Sequence, residues 1–244
     1  MPETFMPRLS DPTDWLKIVR SWESAVAATG EFFAAIPEDA FFAAPDGAWS
    51  PAENLVHLIK SGRPVAMALR LPKLLIRLRF GGVDRPSRSF AQLRADYLSA
   101  LAAGGEASGA FLPQLNQTES RAESRRRMLA GWEATGAALT GALEIWPDPV
   151  LDMCLLPHPL LGPLTVREML FFTIYHTMHH LNDVQRLLGE PVSEWFGHAD
   201  EALPGKDEGL AAKDPGVAAI EGQMAELLDQ LREATESLRN LNIR

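Results

Sequence analysis

The sequence reads as an all-α protein, a four-helix bundle with an additional C-terminal helix. Three observations predict this: helix-start signals recur along the chain, no segment alternates apolar and polar residues as a half-buried strand would, and the final stretch repeats apolar residues in a four-three step.

Asp11-Pro12 is the first start signal, with proline at the first helical position, where its missing N–H costs nothing. Trp15, Ile18, Val19, Trp22 and Val26 follow at helical spacing, and Ile36-Pro37 ends the run. Ser50-Pro51-Ala52-Glu53 combines a serine cap, an N1 proline and a reciprocal glutamate, and so opens a second helix at Pro51 carrying Leu55, Val56, His57, Leu58 and Ile59. Gly62 and Pro64 are expected to kink or interrupt it before an arginine-rich apolar segment runs on to Gly81-Gly82. Ser89 to Gln92 offers another capping box for a shorter helix through Leu101.

A long helix is predicted over 118–146, with Met128, Leu129, Trp132, Leu139 and Leu143 as its buried stripe and Pro147 and Pro149 as its stop. Thr165-Val166-Arg167-Glu168 is a further capping box, with Leu164 and Met169 in staple positions, and it launches a nearly all-round apolar helix to Leu188. Four main helices make the bundle domain, assigned to 1–196. A polar linker follows over 197–216. The last helix, 217–244, sets Ile220, Met224, Leu227, Leu231, Ala234, Leu238 and Leu241 on a narrow seam, which suits either a homodimer contact or packing back onto the bundle.

Composition excludes several classes. Of 244 residues, 46% are hydrophobic and 23% charged, enough apolar material for a sizeable core. The net charge of -9 argues against a phosphate-tracking nucleic-acid binder. A lone cysteine, Cys154, forbids an intrachain disulfide and fits a reducing compartment. The first fourteen residues do not read as a signal peptide, and the apolar tract 64–80 is broken by Arg70, Pro72, Lys73, Arg77 and Arg79. The expectation is a cytoplasmic protein with neither a membrane nor a nucleic acid as partner.

The histidines carry the chemistry. His176, His179 and His180 lie close together on the most apolar helix. At about 100° per residue, His176 and His180 project from one face a turn apart and can present two imidazole nitrogens to one metal ion. His179 points elsewhere and is read as a flanking group. The third ligand must come from another helix, and His57 is the best candidate; three neutral imidazoles leave an open position for water or a substrate atom. Asp183 is close enough in sequence to orient a ligand or join the coordination shell. Core histidines bonded to backbone or carboxylate partners are the competing reading. Glu53 belongs to the capping box, and His158 and His198 are weaker candidates.

The segments Trp49-Ser50-Pro51-Ala52-Glu53-Asn54-Leu55-Val56-His57-Leu58 and His158-Pro159-Leu160-Leu161-Gly162-Pro163-Leu164-Thr165, followed by His176-Thr177-Met178-His179-His180, resemble the DinB-like metal-binding four-helix-bundle superfamily over 11–191. The resemblance implies one ligand from the second helix and a His-x-x-x-His pair from the last bundle helix, which here are His57, His176 and His180, holding a divalent ion, zinc or nickel. It also implies either a metal-dependent transferase or hydrolase acting on a small substrate with a low-molecular-weight thiol or water, or a noncatalytic stress or interaction protein with a structural or vestigial site. Catalytic residues beyond the ligands are not identified. The chain departs from the family in placing Asp183 where many relatives carry glutamine, and in the segment after Gly197.

Two weaker constellations remain. Arg63, Arg70, Lys73, Arg77 and Arg79, with Arg121, Arg125, Arg126 and Arg127, would suit an anionic substrate or a thiol carboxylate if they converge near the metal; solvated faces paired with neighbouring acids are the plainer reading. Cys154 reads as a buried apolar residue rather than a nucleophile. There is no phosphate-cradling glycine loop, no His-Glu-x-x-His motif and no dinucleotide fingerprint.

Overall fold

In a computed structural model, the structure describes residues 11–192 apart from 45, 46 and 117. The predicted linker, the seam helix and His198 lie outside the described residues. Seven α-helices are described: α1 (Trp15–Ala35), α2 (Glu38–Phe41), α3 (Pro51–Ala68), α4 (Lys73–Phe80), α5 (Phe90–Ala102), α6 (Arg121–Leu143) and α7 (Val166–Leu187). The four long ones, α1, α3, α6 and α7, close a ring in which each packs on two neighbours, and α5 lies against α7.

Local chemistry fixes the helix starts. Ser50, Ser89 and Thr165 each accept from the N3 backbone N–H while Glu53, Gln92 and Glu168 reach back to the cap, so all three predicted capping boxes form. The first helix starts later than Asp11-Pro12 suggests. Asp14 is its cap, accepting from the Lys17 N–H at 3.0 Å, and an Asp148 carboxylate oxygen takes the Trp15 N–H at 2.8 Å. The helix predicted over 118–146 contracts to Arg121–Leu143 for the same reason, with Ser120 as its cap.

Pro64 does not break α3. Its ring removes the bond to the Lys60 carbonyl, yet Val65, Ala66 and Ala68 beyond it stay in the core, and Gly62 lets α6 approach so closely that a Cβ there would lie 2.8 Å from Thr135 Cγ2. Packing along α6 on both sides of the proline offsets the helix-interior penalty of about 3 kcal/mol.

The core is threaded by tryptophans whose N–H groups are satisfied by helix carbonyls. Trp22 and Trp132 meet edge to face with centroids 5.9 Å apart; Trp22 donates to the Gly136 carbonyl at 3.2 Å and Trp132 to the Val26 carbonyl at 3.0 Å. Trp146 caps the bundle end by donating to Leu69 O at 2.7 Å.

A two-stranded hairpin, β1 (Leu155–His158) and β2 (Gly162–Thr165), corrects the expectation of no strand. Pro157 pairs with Pro163, so neither partner donates there and the ladder rests on flanking residues; Gly162 supplies the positive φ of 68° that closes the loop. Two four-residue strands each bearing a proline show no alternating pattern in sequence. None of the described helices is long and apolar enough to cross a membrane.

Candidate metal centre

α3 and α7, neighbours in the ring, bring His57, His176 and His180 together, their ligand nitrogens all within 4.8 Å of one another. His176 Nε2 lies 3.0 Å from His57 Nε2 and 3.1 Å from His180 Nε2. All three side chains are buried, at 4%, 5% and 9% residual exposure in chain order.

The outer nitrogens decide what the inner ones can do. His57 Nδ1 lies 2.8 Å from the Phe111 carbonyl, which can only accept, so that nitrogen carries the proton and Nε2 presents a bare lone pair. His180 Nδ1 lies 2.8 Å from Asn54 Oδ1. The Asn54 amide cannot be turned round, because its Nδ2 already donates to the Trp49 and Ser50 carbonyls at 3.2 and 3.0 Å. His180 Nε2 is therefore also a lone pair. A neutral His176 has at most one Nε2–H to share between these two acceptors, so the buried cluster has more lone pairs than protons. Protonating the cluster instead is disfavoured: burial, reinforced by His57, His179 and His158, pushes His176 well below the usual imidazole range.

This donor set fits a divalent ion. Three imidazole nitrogens bound at about 2.05 Å would be about 2.9 Å apart at right angles and about 3.3 Å apart in a tetrahedron, values that bracket the two short separations. Fixed imidazole orientation through the remote nitrogen is also the usual companion of ligation.

The family model of the DinB superfamily matches residues 21–184, a span that takes in α3, most of α7 and all three histidines. The chain belongs to the DinB superfamily. A solved structure, "YfiT from Bacillus subtilis is a probable metal-dependent hydrolase with an unusual four-helix bundle topology", is 17% identical with a TM-score of 0.47, covering 77% of this chain and 95% of that one. None of the curated proteins matches the chain.

Aromatic rings surround the triad. Trp49 stacks on His180 at 6.0 Å and 10°, Phe172 on His176 at 4.9 Å and 26°, and Tyr97 meets His176 edge-on at 6.2 Å. Burial raises the Tyr97 phenol well above its ordinary value, so it stays neutral.

The other sequence candidates fall outside the triad. His179 stacks on Tyr175 at 6.3 Å and approaches Asp183 at 3.4 Å, a flanking group as expected. Asp183 does not join the cluster: a carboxylate four residues after His179 shares that residue's azimuth, and it also accepts from Arg186 at 3.0 Å. His158 closes the hairpin, its Nδ1 accepting the Leu160 and Leu161 N–H groups at 3.2 and 3.1 Å, and burial pushes it down to about 3. Cys154 is buried, and burial raises its thiol, so it is no activated nucleophile.

The basic residues do not gather at the triad. Arg125 donates to the Ala34 and Ile36 carbonyls, Arg121, Arg126 and Arg127 pair with Asp39, Glu123 and Glu119, and Arg70 and Lys73 reach the Ala138 and Ile145 carbonyls. Residues that sequence reasoning missed are Asn54, the Phe111 carbonyl in a 3-10 turn, and Trp49. Of these only Asn54 left a signal, an amide one turn before His57 on an otherwise apolar stretch.

Proposed function

We propose that the chain is a divalent-metal protein in which His57, His176 and His180 hold one zinc or nickel ion, and that it serves as a cytoplasmic metal-dependent transferase or hydrolase for a small substrate. The observation that carries the proposal is the pair of anchored Nδ1 atoms, which turns two buried lone pairs onto the nitrogen of a third imidazole. Bound there, the ion supplies Lewis acidity and an open position that favours the anionic form of a thiol or water. The protein's own part is to hold the imidazoles in one tautomer through Asn54 and Phe111 and to exclude bulk water with Trp49, Phe172 and Tyr97.

One observation favours a second reading, a structural or vestigial site in a noncatalytic protein. A cavity that touches His176 from the Trp22 and Trp132 side is only about 10 Å³, the space of one water, whereas a cleft of about 610 Å³ is lined by residues such as Ser87, Arg88, Asp152 and Arg167 and by none of the histidines.

Elemental analysis after metal loading tests the ligand set. The native chain is expected to retain one ion, His57→Ala, His176→Ala and His180→Ala to lose it, and His179→Ala to keep it. Equal retention in all four variants would sink the assignment. Turnover of a small electrophile with a low-molecular-weight thiol, or its hydrolysis, by loaded but not stripped protein supports the enzyme; retained metal with no turnover supports the second reading.

A further inference from the structure

α4 exposes an apolar stripe that no other described residue covers. Leu74, Leu75 and Leu78 are 67%, 51% and 75% exposed, while Ile76 is fully buried. At about 100° per residue the three leucines share one face, flanked by Arg77 on one side and Arg79 on the other. Met153 and Ile145, both exposed, extend the patch from the segments that Lys73 touches through Cys154 Sγ and the Ile145 carbonyl. Among the described residues no carboxylate comes within ion-pair distance of Arg70, Lys73, Arg77 or Arg79. An apolar stripe edged with cations that no described carboxylate neutralises marks an interaction surface.

The chain carries a match for it. Residues 193–244 hold eleven Asp and Glu against five Lys and Arg, and so -6 of the total charge of -9. Within them the seam of Ile220, Met224, Leu227, Leu231, Leu238 and Leu241 needs a surface to bury it. We propose that residues 217–244 dock as an amphipathic helix along the α4 stripe of the same chain, leucine seam on leucine stripe, with the acidic residues of the tail near Arg70, Lys73, Arg77 and Arg79. The connection 193–216 extends up to roughly 80 Å, so reach does not restrict the pairing. Tethering also presents the seam at a millimolar effective concentration, which a second copy at micromolar protein does not match. An anionic bilayer is the poorer occupant, because the acidic tail is repelled by the surface that α4 would have to approach.

Hydrogen exchange on the full chain tests the docking, with light scattering alongside. Backbone amides over 220–241 are expected to exchange at least tenfold more slowly than in the double variant Leu74→Glu/Leu78→Glu, at constant monomer mass, with exchange in α6 and α7 unchanged. Because new charges on α4 could unsettle the bundle, Met224→Asp/Leu231→Asp provides the reciprocal variant and should lose the same protection at an unchanged bundle melting temperature. Equal exchange over 220–241 in all three proteins overturns the proposal. So does a concentration-dependent dimer mass abolished by either variant, which gives the seam to a second copy. Sedimentation of the native chain, but not the α4 variant, with phosphatidylserine vesicles would give the stripe to a membrane and overturn it equally.

Discussion

Replacing Glu168 by glutamine should cost about 2–3 kcal/mol of stability at neutral pH, an amount that depends on pH. The Glu168 side chain is fully buried, yet its carboxylate takes Arg85 through both guanidinium nitrogens at 2.6 and 2.7 Å, the Arg88 N–H and Nε at 2.7 and 3.0 Å, and the Thr165 N–H at 2.9 Å. Burial alone would raise its pKa, but the bonds from Arg85 and Arg88 and the two backbone N–H groups outweigh it and pull the carboxyl from 4.5 to about 2. At about 1.4 kcal/mol per unit, the ionised form contributes about 3 kcal/mol. Arg85 is itself 37% exposed, which trims the figure to about 2–3 kcal/mol after solvent screening. Because the folded value is depressed, this stability is fully present above the unfolded value near 4.5 and is lost as pH falls towards about 2. Urea unfolding of native protein and Glu168→Gln at pH 7, 5 and 3 measures it. The difference between the two should be full at pH 7, nearly so at pH 5, and visibly smaller at pH 3. Protonation of the imidazoles weakens both proteins alike and cancels in the comparison. A difference that stays constant with pH, or is absent at pH 7, refutes the reasoning.

Two further substitutions probe the architecture around the site. Asn54→Ala removes the acceptor that fixes the His180 tautomer and should weaken metal affinity by roughly 10–100-fold, measured by competition with a chromogenic chelator, whereas Asn54→Asp keeps an acceptor and should lose less; equal affinities in all three proteins would remove Asn54 from the site. Gly136→Ala would put a Cβ 2.5 Å from Val26 Cγ1 where α1 and α6 touch, and should cost about 1–3 kcal/mol in thermal or urea unfolding, largely restored by adding Val26→Ala; an unaffected single variant would show that this approach is not tight.

What was legible in the sequence is what is local. Ser50 with Glu53, Ser89 with Gln92 and Thr165 with Glu168 announce helices because each box is closed within four residues. His176 and His180 announce a shared site because one helical turn aligns them. His57 could be nominated but not placed, since its contact with His176 spans 119 residues. The groups that fix the tautomers were beyond reach for the same reason: Asn54 meets His180 across 126 residues, and the Phe111 carbonyl belongs to a turn whose position only the folded chain defines. Asp183 misled because nearness in sequence to His180 is not nearness in azimuth; four residues from His179, it serves that ring instead. The arginines of α6 stay together at its N-terminal end, but each finds a nearby carbonyl or acid there and none turns towards the triad.

The triad also explains why α7, buried nearly along its whole length, tolerates so many polar groups. Thr173 and Thr177 return their hydroxyl protons to carbonyls one turn back, at 2.7 and 2.9 Å, so they place no demand on the interior. The imidazoles differ. Two of them are satisfied on the outside by groups from other elements, yet all three leave Nε2 atoms converging where apolar packing would otherwise be denser. Burying three polar rings so close together carries a desolvation cost, and three leucines at these positions would carry none. A bundle built only for stability has no use for that arrangement. A divalent ion bound as proposed above would turn the same convergence of imidazole nitrogens into coordination.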